Sequence, residues 1–176
     1  MRNRPIGSVI GAIAGLAFVL INVGTVPAPL LWRLLAASGF VAIIFFVVLR
    51  GSEADQVSPS RSAVRTYGIS VAAMVLAIPL GATIITNVLD RPNAVLVWVV
   101  FVVGVHFLPL AHAFHLPVFR WLSASLVVVS VVGAVPTLTS DSATTAGRTG
   151  VAAGFVLLLF AAVGPRLTRG TTTPPT

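Results

Sequence analysis

The segment NAVLVWVVFVVGVHFLPLAHAFHLPVFR, residues 93–120, decides how the whole chain is read. Its apolar run from Ala94 to Phe114 has the roughly 20 residues that a helix needs to cross a hydrocarbon core about 30 Å thick. One imidazole, His106, lies about twelve residues along that run, or ~18 Å at 1.5 Å per residue, well inside the membrane. Pro109 follows three residues later. It cannot donate to the carbonyl of Val105, so it predicts a kink beside the histidine. His112, His115 and Pro117 then mark the helix end and the turn into the next span.

The rest of the chain has the same character. Of its 176 residues 57% are hydrophobic and only 9% are charged, whereas a water-soluble domain carries about 25% charge. The expected fold class is therefore all-α, a polytopic membrane bundle. About six helices fit into a single domain over residues 1–170, followed by a disordered tail at 171–176. The expected spans are 5–25, 29–49, 66–88, 94–114, 118–138 and 150–167. The first imitates a signal peptide, with Arg2 and Arg4 before an apolar run, but that run is about 20 residues long rather than 7–15 and ends in a proline turn; it reads as a retained span. Residues 50–65 are expected to be a polar connector, and the Ser- and Thr-rich stretch 139–149 a solvated loop.

The net charge of +7 does not point to nucleic acid. All eleven basic residues are arginines, spread over short segments at helix ends, where orientation signals and lipid-headgroup contacts sit. If the N-terminus is cytoplasmic, eight arginines fall on that side and three (Arg33, Arg91, Arg148) on the other, so both termini are expected in the cytoplasm. With no cysteine in the chain, disulfides, thiolate catalysis and Cys-ligated metals are excluded.

Small residues mark the expected packing seams. Gly7, Gly11 and Gly15 recur every fourth residue in the first span, and Gly150 and Gly154 do so in the last. Such strips let helix backbones approach closely in lipid, where no hydrophobic force drives helices together. Ala73, Ala77 and Gly81 form a third strip, in the span that contains Pro79. Asn22, eleven residues after Gly11 and so about three turns on, shares the first strip; it reads either as an amide buried in the seam or as a ligand contact. Arg33 lies about one turn inside the second span, where it either snorkels to the interface or binds a substrate.

Little chemistry is left once these features are placed. Glu53, Asp55, Asp90 and Asp141 all fall outside the expected spans, which argues against a carboxylate-based proton carrier, an acid-initiated cyclase and a carboxylate-bound metal. The three histidines do not converge on one straight helix: His112 lies about 240° and His115 about 180° around the axis from His106. Neither a metal nor any other cofactor is expected. His106 and Pro109 are left as the polar centre, with Asn22 and Arg33 as further candidate ligand-binding residues and with Thr83 or Thr86 as possible neighbours.

The run Gly104-Val105-His106-Phe107-Leu108-Pro109-Leu110-Ala111, continued by Phe114 and Pro117, resembles a G-x-H-F-x-P-L-A-x-x-F-x-x-P pattern of small multi-pass bacterial membrane proteins that have no assigned activity. The resemblance covers about 14 residues. It implies a bundle of six or seven helices in the bacterial cytoplasmic membrane, and no function. In size, span number and the small-residue strip of the first span, the chain is also similar to the substrate-binding subunits of vitamin transporters, without their long capping loops.

Three functions fit these residues. The first is a module that binds or transports a small molecule or lipid. The second is a structural subunit that stabilises another membrane protein or a second copy of the chain, and the third an intramembrane enzyme that acts on a lipid through His106. A carrier would enclose a cavity of a few hundred Å³ that reaches His106, whereas a scaffold would be packed solid there.

Overall fold

A computed structural model describes residues 6–50, 61–114 and 116–167. They form six α-helices: α1 (Ile6–Asn22), α2 (Pro29–Arg50), α3 (Arg61–Asn87), α4 (Ala94–Ala113), α5 (Pro117–Ser140) and α6 (Ala143–Leu167), with one 3-10 turn at Val23–Thr25 after α1. Each of the six has a stretch long and apolar enough to cross a membrane, so the chain is a multi-pass membrane protein. Residues 51–60 of the expected connector and the expected tail at 171–176 lie outside the described residues.

Prolines and left-handed residues set the helix ends. Pro29 and Pro117 open α2 and α5 at the first helical position, where the missing N–H is no loss. Leu116 is extended, as the residue before a proline must be. The other end of α5 is closed by Asp141, whose φ of 44° is left-handed and whose N–H bonds to the carbonyl of Thr137 at 2.8 Å. Most boundaries fall within a few residues of those expected from the sequence, and two do not. α3 starts at Arg61 rather than at 66, and α6 starts at Ala143 rather than at 150.

The early start of α6 overturns the reading of 139–149 as a solvated loop. Ala146, Gly147 and Thr149 are buried, and the Thr149 hydroxyl bonds back to the carbonyl of Thr145 one turn earlier (3.1 Å). A hydroxyl that finds its acceptor inside the helix needs no water, so Ser and Thr content alone did not mark a loop. Tertiary contact requires the extra turns: Gly147 lies against Thr25 and the carbonyl of Asn22, and Gly150 against the Asn22 side chain.

α3 and α4 run antiparallel, since Ser70 and Ala77 meet His106 and Trp98 in reverse order. α6 is the centre of the bundle, packing against α1, α2, α4 and α5, and 56% of its span is buried compared with 39% of that of α4. The chain is thus organised around its last helix and not, as its sequence suggests, around the helix that carries His106. Two faces of α6 serve two apolar clusters. Val151, Leu158 and Ala161 pack with Ala12, Val19 and Val23 on the α1 side and with Ala36 and Ile43 of α2. Ala153 and Leu157 pack with Val100 of α4 and with Leu122 and Leu126 of α5. By contrast, α3 touches α4 and no other helix among the described residues.

The α1–α6 seam is a backbone contact. A Cβ added to Gly15 would lie 2.7 Å from the carbonyl oxygen of Gly154, and one added to Gly154 would lie 2.7 Å from that of Gly15. Gly11 sits at the edge of this contact, with room for an ordinary approach of 3.4 Å to Ala161 Cβ. Gly7 has nothing within 4 Å, so the expected strip loses its first member: the helices have diverged by that turn.

Candidate functional site

The geometry around His106 is built by α3 and α4. Pro109 sits inside α4 as expected, and His106, one turn before it, is turned toward α3 rather than toward the middle of the bundle. Its Nδ1 is 2.8 Å from Oγ of Ser70, and the same hydroxyl lies 3.2 Å from the backbone carbonyl of His106. A serine has a single proton to give. Both contacts are satisfied together only if the hydroxyl donates to the carbonyl while Nδ1–H donates to Oγ, an arrangement that leaves Nε2 as the acceptor. Ser70 is only 8% exposed. The pair is therefore a part-buried clasp between two helices, next to the turn that Pro109 deprives of one backbone bond.

A second clasp joins the same helices about 10 Å further along α3, seven residues from Ser70. Trp98 Nε1–H donates to the carbonyl of Ala77 at 3.0 Å. Its indole lies over Gly81, where a Cβ would fall within the ring. The small-residue strip of α3 thus receives an aromatic side chain instead of another backbone.

The other candidate residues are not brought to His106. The Asn22 side chain donates to the carbonyl of Phe18 in its own helix (2.7 Å) and packs against Gly150 in the α1–α6 seam. Arg33 is exposed at the start of α2, a helix that does not touch α4. Trp32 beside it turns inward, donating to the carbonyl of Pro27 (3.1 Å) and meeting Phe155 edge-on at 5.9 Å. The hydroxyl of Thr83 bonds to the carbonyl of Pro79 within α3, and both Thr83 and Thr86 are exposed. Pro109 is exposed as well. His112 is exposed at the end of α4, and His115 lies outside the described residues.

Sequence reasoning missed the residues that join helices by side chain to backbone. Ser130 of α5 donates to the carbonyl of Val97 in α4 (3.0 Å). Asn93 ties the α3–α4 turn to the α5–α6 turn, giving its Nδ2–H to the carbonyl of Asp141 at 2.7 Å. The signal was present, since a hydroxyl inside an apolar span needs an acceptor. Which helix supplies that acceptor depends on the packing.

A groove of about 280 Å³ opens between the start of α5 and the end of α6, lined by Trp121, Ser125, Leu159, Phe160 and Val163. It does not include His106. Four of its five walls are apolar, Ser125 supplies the one hydroxyl, and the groove is open, with Trp121 and Leu159 exposed.

Compared with known protein families, curated proteins and solved structures, the chain matches none.

The Ser70–His106 pair has the atoms of a nucleophile and its base but not their setting. The serine hydroxyl is engaged with a backbone carbonyl. The two described acids, Asp90 and Asp141, are at the turns beyond α3 and α5, at the other end of the bundle from the start of α5. Activation of a serine requires its proton on the base and a substrate beside its oxygen, and here both sides of the pair are filled by helices α3 and α4.

Proposed function

We propose that the chain is a non-catalytic binding module of the bacterial cytoplasmic membrane whose ligand is a lipid that enters from the bilayer, rather than a polar solute held at the centre of the bundle. One observation carries this reading. Three side chains at membrane depth are engaged across helices, His106 with Ser70, Trp98 with Ala77 and Ser130 with Val97. The Ser123 and Thr137 hydroxyls of α5 are buried without a partner among the described residues but do not line the α5–α6 groove, which is open and apolar except for Ser125. A polar solute would need several convergent polar groups and a larger enclosed volume. An acyl chain needs an apolar slot open to the membrane.

A second reading, a subunit that stabilises another membrane protein, is favoured by α3, which among the described residues packs against α4 alone. Native mass spectrometry of the intact protein, released from detergent micelles, separates the two. Lipid adducts that survive release are expected for the lipid-binding module. A co-purifying protein chain without retained lipid would support the second reading, and a retained polar small molecule would overturn both.

A further inference from the structure

The two ends of the bundle differ in charge. Among the described residues, the helix ends on the side where α5 begins carry five arginines (Arg50, Arg61, Arg65, Arg120 and Arg166) and no acid, whereas the opposite side carries three arginines and two acids. The α5–α6 groove lies at the arginine-rich end, since its walls are Trp121 and Ser125 near the start of α5 and Leu159, Phe160 and Val163 toward the end of α6. Arg120 is exposed and immediately precedes the groove residue Trp121. Its side chain is long enough to reach the headgroup layer while its stem stays on apolar surface.

Resting on the lipid-binding reading above, we infer that the α5–α6 groove seats one acyl chain of an anionic phospholipid, with the lipid phosphate held by Arg120 at the groove mouth. The dimensions fit one chain. The groove walls span one helical turn on each helix, about 6 Å along the membrane normal, and the volume of about 280 Å³ is at the small end of ligand sites. That is room for the upper part of an acyl chain, the part directly below the glycerol. Trp121, 68% exposed, stands where a tryptophan marks the level of the headgroups. Ser125, one turn deeper than Trp121, supplies the one hydroxyl on the groove wall. A guanidinium binds phosphate with two parallel N–H bonds, and basic pockets between helices at a membrane surface select anionic headgroups in this way.

The test uses the full chain in detergent with equal amounts of phosphatidylglycerol and phosphatidylcholine of matched chain length, read by native mass spectrometry. The wild type is expected to retain phosphatidylglycerol about fivefold over phosphatidylcholine, the preference of one arginine near the surface. Arg148→Gln removes the same charge from an exposed site at the opposite end of the bundle and should keep that ratio; Arg120→Gln should bring it to parity. Ser125→Phe, which fills the groove, should reduce the retention of both lipids. Equal ratios in Arg120→Gln and Arg148→Gln would overturn the headgroup assignment while leaving the lipid-binding reading intact. Undiminished retention of both lipids by Ser125→Phe would remove the groove as their site, and a wild type that retains neither lipid would sink the lipid-binding reading itself.

Discussion

Between α1 and α6 the helices meet backbone to backbone, whereas α3 meets α4 through side chains. At the first contact Gly15 and Gly154 each sit so close that a methyl group would press on the carbonyl of the other. Many weak dispersion contacts and the absence of side-chain entropy to lose hold the two helices together. At the second, an indole covers Gly81 and an imidazole clasps a serine, joining α3 to the one helix that it touches among the described residues. The difference teaches where each seam is vulnerable. A backbone seam fails by steric intrusion and cannot be repaired by rotating a side chain. A side-chain seam loses one bond at a time.

The largest effect is expected from intrusion into the first seam. Gly154→Leu should cost about 3 kcal/mol or more, the upper range for overpacking, because the obstructing atoms are backbone. Thermal unfolding in detergent reads it, with Gly7→Leu as the comparison, expected to match the wild type because nothing lies within 4 Å of Gly7. Equal losses in the two variants would mean that the seam tolerates side chains and that the comparison is mistaken.

A smaller effect is expected from Gly81→Ala, since the added methyl group meets a side chain that can swing away. Trp98 must then give up its bond to the Ala77 carbonyl, and a loss of about 1–2 kcal/mol is expected. The two sites can be told apart by labelling. The chain has no cysteine of its own, so a single cysteine placed at Ala77, which faces α4, reports on α3 alone. Labelling there should rise in Gly81→Ala while a cysteine at Ala12, in the first seam, stays protected. Unchanged labelling at position 77 would show that α3 is held by something other than the indole.

The smallest effect concerns the clasp at His106. Interhelical hydrogen bonds in membranes are worth about 0.6 kcal/mol on average and seldom more than ~2. A double-mutant cycle of Ser70→Ala and His106→Leu should therefore give a coupling of about 0.5–2 kcal/mol, and His106→Gln should retain most of it. Zero coupling would mean that the 2.8 Å contact contributes nothing to holding α3.

Composition and apolar run length determined the class of this protein by themselves. Backbone groups in hydrocarbon must be bonded internally, so six apolar stretches of spanning length could only be helices. Gly11, Gly15, Gly150 and Gly154 also announced α1 and α6 as close-packing helices, because a missing side chain is visible without knowing its neighbour. Which glycines meet, and that Gly7 meets nothing, was decided by the crossing of α1 over α6, a property of neither helix alone. The same holds for His106. Its depth could be counted along the chain, and a buried imidazole was certain to need a partner, but hydrogen-bonding residues occur in several spans. Only the tertiary structure chose Ser70 over Asn22, Thr83 or Thr86, because a hydrogen bond is made over about 3 Å and the sequence contains no distances between helices. The central place of α6 was hidden for a related reason. Its first turns are polar enough to pass for a loop, and their burial comes from the helices that surround them.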